Sequence, residues 1–123
     1  RDWSSDVCSS DLTAQEVISP NQEAVVVFTH GDNFFVDALG NGYTGNWVVN
    51  PDNLEDVDKV IVYLRRDGEN INRIFLGNYA GCRKSPEAGR QEIRFNHLQE
   101  IGATYSNWIE FAGGQNPVAY ARR

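Results

Sequence analysis

The stretch DKVIVYLRR, residues 58–66, carries the strongest structural signal in the chain. Its centre is a continuous run of Val, Ile, Tyr and Leu, and the polar turn DGEN at residues 67–70 follows directly. Short apolar runs that end in turn residues are typical of strands with both faces buried. We therefore expect a central strand whose alternate side chains point to opposite faces of a sheet. The two expected faces consist of Val60, Val62 and Leu64, and of Ile61 and Tyr63.

The segments on either side of this strand predict further strands. INRIFLGNYAG (71–81) follows the DGEN turn and should pair with the first strand as a hairpin. EAVVVFT (23–29) predicts a second buried strand, RQEIRF (90–95) another strand, and the closing NPVAYARR (116–123) an edge strand. ALGNGYTGN (38–46) contains three glycines, which indicates a loop or a wide hairpin.

Two segments predict short helices. Asn50, Pro51 and Asp52 combine an N-cap residue, a proline at the first helical position and an acid behind it. ATYSNWIEFAG (103–113) places Trp108 and Phe111 on one helical face, with Thr104 or Ser106 as the expected N-cap and Gly113 at the C-terminal end. The chain is therefore expected to be mainly β with short helices (α+β), as a small antiparallel β-barrel.

The first twelve residues, RDWSSDVCSSDL, do not match the rest of the chain in character. Residues 2–12 resemble, residue for residue, the translation of a high-throughput sequencing adapter. We therefore expect residues 1–12 to be a non-native, disordered and dispensable segment, as one would treat a fusion scar. The remaining residues, 13–123, should form one domain whose natural N-terminal part is missing.

Composition limits the classes of function that this domain can have. The first twelve residues hold one of the eleven basic and three of the seventeen acidic residues, which leaves ten and fourteen and a net charge of about −4. This charge argues against a protein that coats nucleic acid by bulk charge, although a local basic groove remains compatible with it. The longest apolar stretch, residues 24–28, is too short to span a membrane, so no membrane partner is expected. Without the first twelve residues, which contain Cys8, Cys82 has no partner for an internal disulfide. A reducing compartment, the cytoplasm, is therefore expected.

Catalytic and metal-binding motifs are weak in this sequence. His30 and Asp32 form a His-x-Asp pair, but a turn in which Asp32 caps its own backbone is the simpler interpretation. No phosphate-binding loop, nucleophile elbow, HExxH or paired-cysteine motif occurs. We therefore expect no catalytic residue, no cofactor and no metal, although an enzyme is not ruled out. An accessory fragment of a nuclease or hydrolase that uses His30 and Asp32 stays open as an alternative.

Aromatic residues next to amides are more informative. Asn78 precedes Tyr79 and Asn107 precedes Trp108, and Trp47 follows another asparagine. An aromatic face beside an amide is the combination that stacks on a planar base and hydrogen-bonds to its edge. We expect Phe111 to be held in the core and Trp108 to turn one edge toward a pocket. The candidate ligand-binding residues are Trp47, Tyr79, Trp108, Asn78 and Asn107.

The basic residues concentrate in the middle of the chain. Seven of the ten lie between Arg65 and Arg94, on predicted strands and their loops. They could form a phosphate-binding patch despite the acidic total, or an ordinary solvated face with cross-strand ion pairs. The candidate phosphate-contacting residues are Arg65, Arg83, Lys84 and Arg90.

Five segments follow one another within residues 44–120: GNWVV, DKVIVYLRR, NRIFLGNYAGC, IRF and GATYSNWIEFAGGQNPVAY. This order of segments resembles small domains of the PUA-like class. That class includes the EVE and YTH-type modules that bind modified bases. The resemblance implies a compact β-barrel with an aromatic-lined pocket, often fused to a nuclease or another effector. Such an effector could have lain upstream of residue 13.

These observations lead to one expectation and two alternatives. The expected function is a nucleic-acid-associated binding module that accepts a planar base or nucleotide in an aromatic pocket. In the first alternative, the same aromatics all belong to the core of a structural or protein-interaction domain with no small-molecule site. The second alternative is the nuclease or hydrolase accessory fragment.

Overall fold

A computed structural model describes residues 13–66, 68, 70–105, 107–113 and 115–122 of the chain. The expectations about residues 1–12, and about Ser106 as a helix cap, lie outside these residues. Within these residues, the helices are α1 (Ala14–Val17) and α2 (Trp108–Ala112), and a 3-10 turn covers Pro51–Leu54. The strands are β1 (Glu23–Thr29), β2 (Phe34–Val36), β3 (Gly42–Trp47), β4 (Lys59–Leu64), β5 (Asn72–Lys84), β6 (Gln91–Thr104) and β7 (Val118–Arg122).

The described strands form one seven-stranded sheet in the order β2-β3-β6-β5-β4-β1-β7. β4 lies inside the sheet between β5 and β1, as its sequence predicts, and the β4–β5 hairpin is confirmed. The predicted edge strand is confirmed as well, since β7 forms one border of the sheet. The pairing of β1 with β4 is parallel, so the sheet is mixed rather than antiparallel throughout. Buried β-branched strands occur in both parallel and antiparallel pairs, and the sequence of each strand therefore does not reveal the direction of pairing.

Each face of the sheet carries its own hydrophobic core. On the inner face, the side chains of Val60, Val62 and Leu64 pack with residues from β1 and β6. On the outer face, Ile61 and Tyr63 pack with residues from both helices. The predicted division of the β4 side chains is therefore confirmed, because alternation along a strand sends neighbours to opposite faces.

The sheet bends around the inner core but does not close. Phe34 from the β2 edge and Val118 from the β7 edge both pack against the inner core, so the two borders curve toward the same side. Among the described strands, however, β2 is hydrogen-bonded only to β3 and β7 only to β1, so the two border strands do not pair with each other. The expected barrel is thus not confirmed; the fold is mainly β with two short helices and an open, curved sheet.

The helix α2 differs from its prediction at one end. Gly113 ends it in a left-handed conformation, as expected. At its start, the Asn107 side chain accepts a hydrogen bond from the Glu110 amide at 2.9 Å, and the Asn107 amide donates to the Glu110 carboxylate at 3.2 Å. Asn107, not Thr104, is therefore the N-cap, because β6 runs on to Thr104 and keeps that residue in the sheet. None of the helices in the described part is long and apolar enough to cross a membrane.

Candidate functional site

The open side of the sheet holds a cleft of about 590 Å³ that we call the seam cleft. It lies between the end of β3, the 3-10 turn and β7, which approach one another because the sheet curves without closing. Its volume is within the range that small-molecule sites occupy, roughly 300–1,000 Å³. The residues that line it are Trp47, Val48, Val49, Asn50, Asn53, Arg90, Asn116, Pro117, Val118 and Tyr120.

Trp47 forms one wall of the seam cleft. The pairing of β3 with β6 shifts register between Thr44 and Trp47, and a register shift of this kind re-aims the side chains that follow it. The indole is half-buried against the inner core, and its Nε1 donates a hydrogen bond to Thr44 Oγ1 at 3.2 Å. The ring is therefore held in one orientation while part of its surface remains open to the cleft.

Tyr120 and the asparagines of the 3-10 turn supply the polar part of the lining. Tyr120 is 40 % exposed, and its pKa is raised by burial of the phenol, although a hydrogen bond with Asn53 acts in the opposite direction. Asn50 caps the 3-10 turn, since its Oδ1 accepts from the Asp52 amide at 3.0 Å. The phenol therefore stays neutral at physiological pH, and the turn that carries the amides is held in place.

Arg90 brings a positive charge to the seam cleft. It lies at the end of the turn between β5 and β6, where its amide donates to the Glu87 carbonyl at 3.2 Å. Its guanidinium forms an ion pair with Glu87 at 3.3 Å, and both side chains are exposed. An exposed pair of this kind contributes about 0–1 kcal/mol and is screened by salt. The ion pair with Glu87 therefore adds little to the forces that hold the guanidinium in place.

A second cleft, of about 480 Å³, lies beside α2 and brings together three of the predicted residues: Arg65, Asn107 and Trp108. Trp108 is buried to 7 % exposure, stacks on Phe28 with ring centroids 5.4 Å apart, and donates from Nε1 to the Asn116 carbonyl at 2.7 Å. Both Trp108 and Phe111 thus belong to the outer core, and the largely buried Trp108 is one of the residues that line this second cleft, which we call the helix cleft. The Asn107 side chain is already engaged as the helix cap.

The other predicted residues lie elsewhere on the sheet. Asn78 accepts a hydrogen bond from Lys59 Nζ at 2.7 Å, and Tyr79 packs against the inner core. Burial, together with a hydrogen bond to Cys82, raises the pKa of Tyr79. Arg83 forms an ion pair with Glu92, and Lys84 is exposed at the end of β5. The predicted set is therefore distributed over two clefts and the strand surfaces instead of surrounding one site.

The two residues of the His-x-Asp pair lie in the turn that follows β1. His30 Nδ1 donates to the Arg65 carbonyl at 2.8 Å, and its ring lies 5.0 Å from that of Phe28. The Asp32 carbonyl accepts from Thr29 Oγ1 at 3.4 Å within the same turn. In the described part of the chain, no group of three or more His, Cys, Asp or Glu side chains could hold a metal ion.

Comparison with known protein families, with curated proteins and with solved structures finds no match for this chain. The functional argument therefore rests on the geometry of the molecule.

Several seam-cleft residues were not predicted from the sequence. Tyr120 belongs to the predicted edge strand, and Asn50 and Asn53 belong to the predicted helical turn. The sequence signals that could have found them are separate: NPDN at residues 50–53 contains two amides, and the predicted edge strand contains the aromatic residue Tyr120. Their meeting with Trp47 and Arg90 depends on the curvature of the sheet.

Proposed function

We propose that this protein is a nucleic-acid-associated binding module that accepts a planar base or nucleotide in the seam cleft. One observation carries the proposal: Trp47, Tyr120 and Arg90 line a single cleft of about 590 Å³ together with three asparagines. An aromatic surface, amide groups and a guanidinium are the three kinds of group that a nucleotide engages, through its base face, its base edge and its phosphate. The cleft is large enough for a ligand of this size.

Each lining group then has a distinct role in binding. The half-buried indole of Trp47 offers a fixed surface for stacking, because its Nε1 is already satisfied by Thr44. The side-chain amides of Asn53 and Asn116 offer both donors and acceptors to the edge of a base. Arg90 would exchange Glu87 for the phosphate, which makes binding sensitive to salt.

The resemblance to PUA-like modules supports the same proposal. It implies a compact β-barrel with an aromatic-lined pocket, whereas the sheet of this protein is curved but open. In this proposal the incomplete closure of the sheet provides the pocket, since the cleft lies between β3 and β7. The helix cleft is a less suitable site for a base, because Trp108 is buried and Asn107 is engaged as a cap.

Binding of nucleoside monophosphates tests the proposal. We expect saturable binding of at least one of AMP, GMP, CMP and UMP in isothermal titration calorimetry, and weaker binding of ribose 5-phosphate, which has no base. Arg90→Gln should weaken nucleotide binding by about fivefold or more, because a charge-assisted hydrogen bond contributes roughly 1.5–3 kcal/mol. Trp47→Leu should weaken it by a similar factor through loss of a stacking surface worth about 1–3 kcal/mol.

The matched control is Arg66→Gln, which removes an exposed arginine that does not line the seam cleft. This variant should bind as the parent protein does. Equal loss of affinity in Arg66→Gln and Arg90→Gln would mean that the contribution is bulk charge. Absence of saturable binding by all four nucleotides at low salt would contradict the proposal and favour a protein-interaction domain.

A further inference from the structure

The described part of the outer core does not extend over β2, β3 and β6. The described side chains of the outer core come from α1, α2, β1, β4, β5 and β7, and none of them comes from β2, β3 or β6. At the β2 end of the sheet, Phe34 points to the inner core and its neighbour Phe35, 56 % exposed, points to the outer face. An aromatic side chain therefore stands on an open sheet surface.

Phe35 is part of a row of stacked groups on this surface. Its ring lies 6.1 Å from the ring of Tyr43 on β3, and the two planes are inclined by only 28°. The Arg83 guanidinium carbon lies 5.4 Å from the centroid of the same Tyr43 ring. The row Phe35–Tyr43–Arg83 runs from β2 over β3 and across β6 to β5. Its members are aromatic and guanidinium groups, which are the kinds of group on which bases stack.

Arg94 adds a second positive charge beside this row. It is exposed, and it is the direct cross-strand partner of Tyr43 on one side and of Gly81 on the other. A shallow cleft of about 520 Å³ lies here, lined by Phe35, Tyr43, Arg83 and Arg94 among others. The residue of β5 that pairs with Arg94, Gly81, carries no side chain, and nothing lies within 4 Å of the position where its Cβ would be.

The negative charges near this patch are already engaged by the protein. Glu92, the partner of Arg83, has only 10 % of its side chain exposed, whereas Arg83 has 54 %. Asp37 accepts the amides of Leu39 and Asn41, each at 2.9 Å, within its own turn. The patch therefore exposes aromatic rings and guanidinium groups, which complement bases and phosphates respectively, and the exposed carboxylate of Asp37 at its border is held by its own turn.

We infer that this uncovered outer face, Phe35, Tyr43, Arg83 and Arg94, binds a single strand of nucleic acid. The inference rests on the proposed function and deepens it, because it assigns a strand of several nucleotides, not a free nucleotide, as the ligand. Three cationic residues lie one after another along β5 and β6 toward the turn that carries Arg90: Arg94, Arg83 and Lys84. These cations connect the outer face to the seam cleft, so one strand can stack on Phe35 and Tyr43 and place another base beside Trp47.

Length-dependent binding distinguishes the outer face from the seam cleft. The first probe is a fluorescein-labelled oligouridylate of about ten nucleotides, whose binding is followed by fluorescence anisotropy. This length lies within the roughly 4–16 nucleotides that a small single-strand-binding domain such as an OB fold occupies. The second probe is UMP, whose binding is followed by calorimetry. Phe35→Ser and Arg94→Gln should each weaken oligouridylate binding by about fivefold or more. Both variants should leave the affinity for UMP unchanged. Arg94→Gln should also lower the salt dependence of oligouridylate binding by about one unit of slope.

The control Ile109→Ser removes a comparable exposed apolar side chain, 53 % exposed, from α2. It should bind both probes as the parent protein does. Unchanged oligouridylate affinity in both Phe35→Ser and Arg94→Gln would overturn the inference while leaving the proposed function intact. Loss of oligouridylate binding in these variants, with no UMP binding by the parent, would support the outer face and contradict the seam cleft. If Phe35→Ser instead abolishes self-association and leaves oligouridylate binding unchanged, the patch is a protein interface and the inference is wrong.

Discussion

Gly40 occupies one of the most restricted positions in the molecule. Its φ of +86° is a left-handed conformation, and its carbonyl accepts the Leu98 amide at 2.9 Å. A Cβ at this position would lie 2.7 Å from the Leu98 nitrogen and 2.8 Å from the Leu98 oxygen, both of them backbone atoms. The turn between β2 and β3 can therefore pack against β6 only if this residue has no side chain.

We predict that Gly40→Ala destabilises the protein far more than Gly68→Ala. Gly68 has a similar φ of +83°, but nothing lies within 4 Å of the position where its Cβ would be. Gly68→Ala should therefore cost only the left-handed conformation, about 1–2 kcal/mol. Gly40→Ala adds a backbone clash and should cost about 4 kcal/mol or more. Urea denaturation of the two variants measures the difference, and equal losses would show that the contact with Leu98 yields without cost.

The strand β4 organises the elements around it. It pairs with β1 on one side and β5 on the other, and its side chains enter both cores. Val60, Ile61 and Val62 have no exposed surface. A strand that is covered on both edges and both faces has no direction in which a new polar group can reach water.

We predict that Val62→Asp abolishes cooperative unfolding, because it buries an unpaired carboxylate in the inner core. Val48→Asp is the matched control, since Val48 is 70 % exposed and lies just beyond β3. It should melt within a few degrees of the parent protein, as exposed substitutions usually change stability by less than about 0.5 kcal/mol. Thermal denaturation followed by circular dichroism tests both variants. A normal melting curve for Val62→Asp would mean that β4 is peripheral to the fold.

Three tyrosines, distributed over the two cores and the seam cleft, have phenol groups that are wholly or partly buried. Burial raises the pKa of Tyr63 to about 12, with Arg65 acting weakly in the opposite direction. The pKa values of Tyr79 and Tyr120 are also raised, in both cases chiefly by burial. In the unfolded chain these phenols ionise near pH 10. The folded state therefore retains protons that the unfolded state has lost above that pH.

We predict that the free energy of unfolding falls steeply as the pH rises from about 10 toward 12, because only the unfolded state gains from ionisation there. Below about pH 10 the contribution of these tyrosines is fully present. Tyr63→Phe removes one phenol and should make the loss shallower without changing its direction. Urea denaturation between about pH 8 and 11.5 measures both slopes. An identical slope in Tyr63→Phe would mean that Tyr63 ionises as freely in the folded protein as in the unfolded chain.

Local features of the fold could be predicted from the sequence because they depend on neighbours in the chain. The alternation of Val60, Ile61 and Val62 assigns side chains to faces wherever the strand lies, and a glycine such as Gly113 ends a helix through its own backbone. The cap at Asn107 is local in the same way, because Asn107 and Glu110 have the three-residue spacing of a capping box. The prediction of Thr104 or Ser106 overlooked this spacing, and the continuation of β6 to Thr104 excludes Thr104.

The candidate site follows a different rule, since its residues are far apart in the chain. Trp47 and Arg90 were predicted separately, but nothing in their local sequence indicates that they share a cleft with Tyr120. That juxtaposition depends on the parallel pairing of β1 with β4 and on a sheet that curves without closing. Composition and periodicity therefore specified most of the strands and the residue types of the candidate site, although β2 and β3 were not predicted as strands. The strand order and the curvature of the sheet, which arise from long-range packing, specified which of those residues meet.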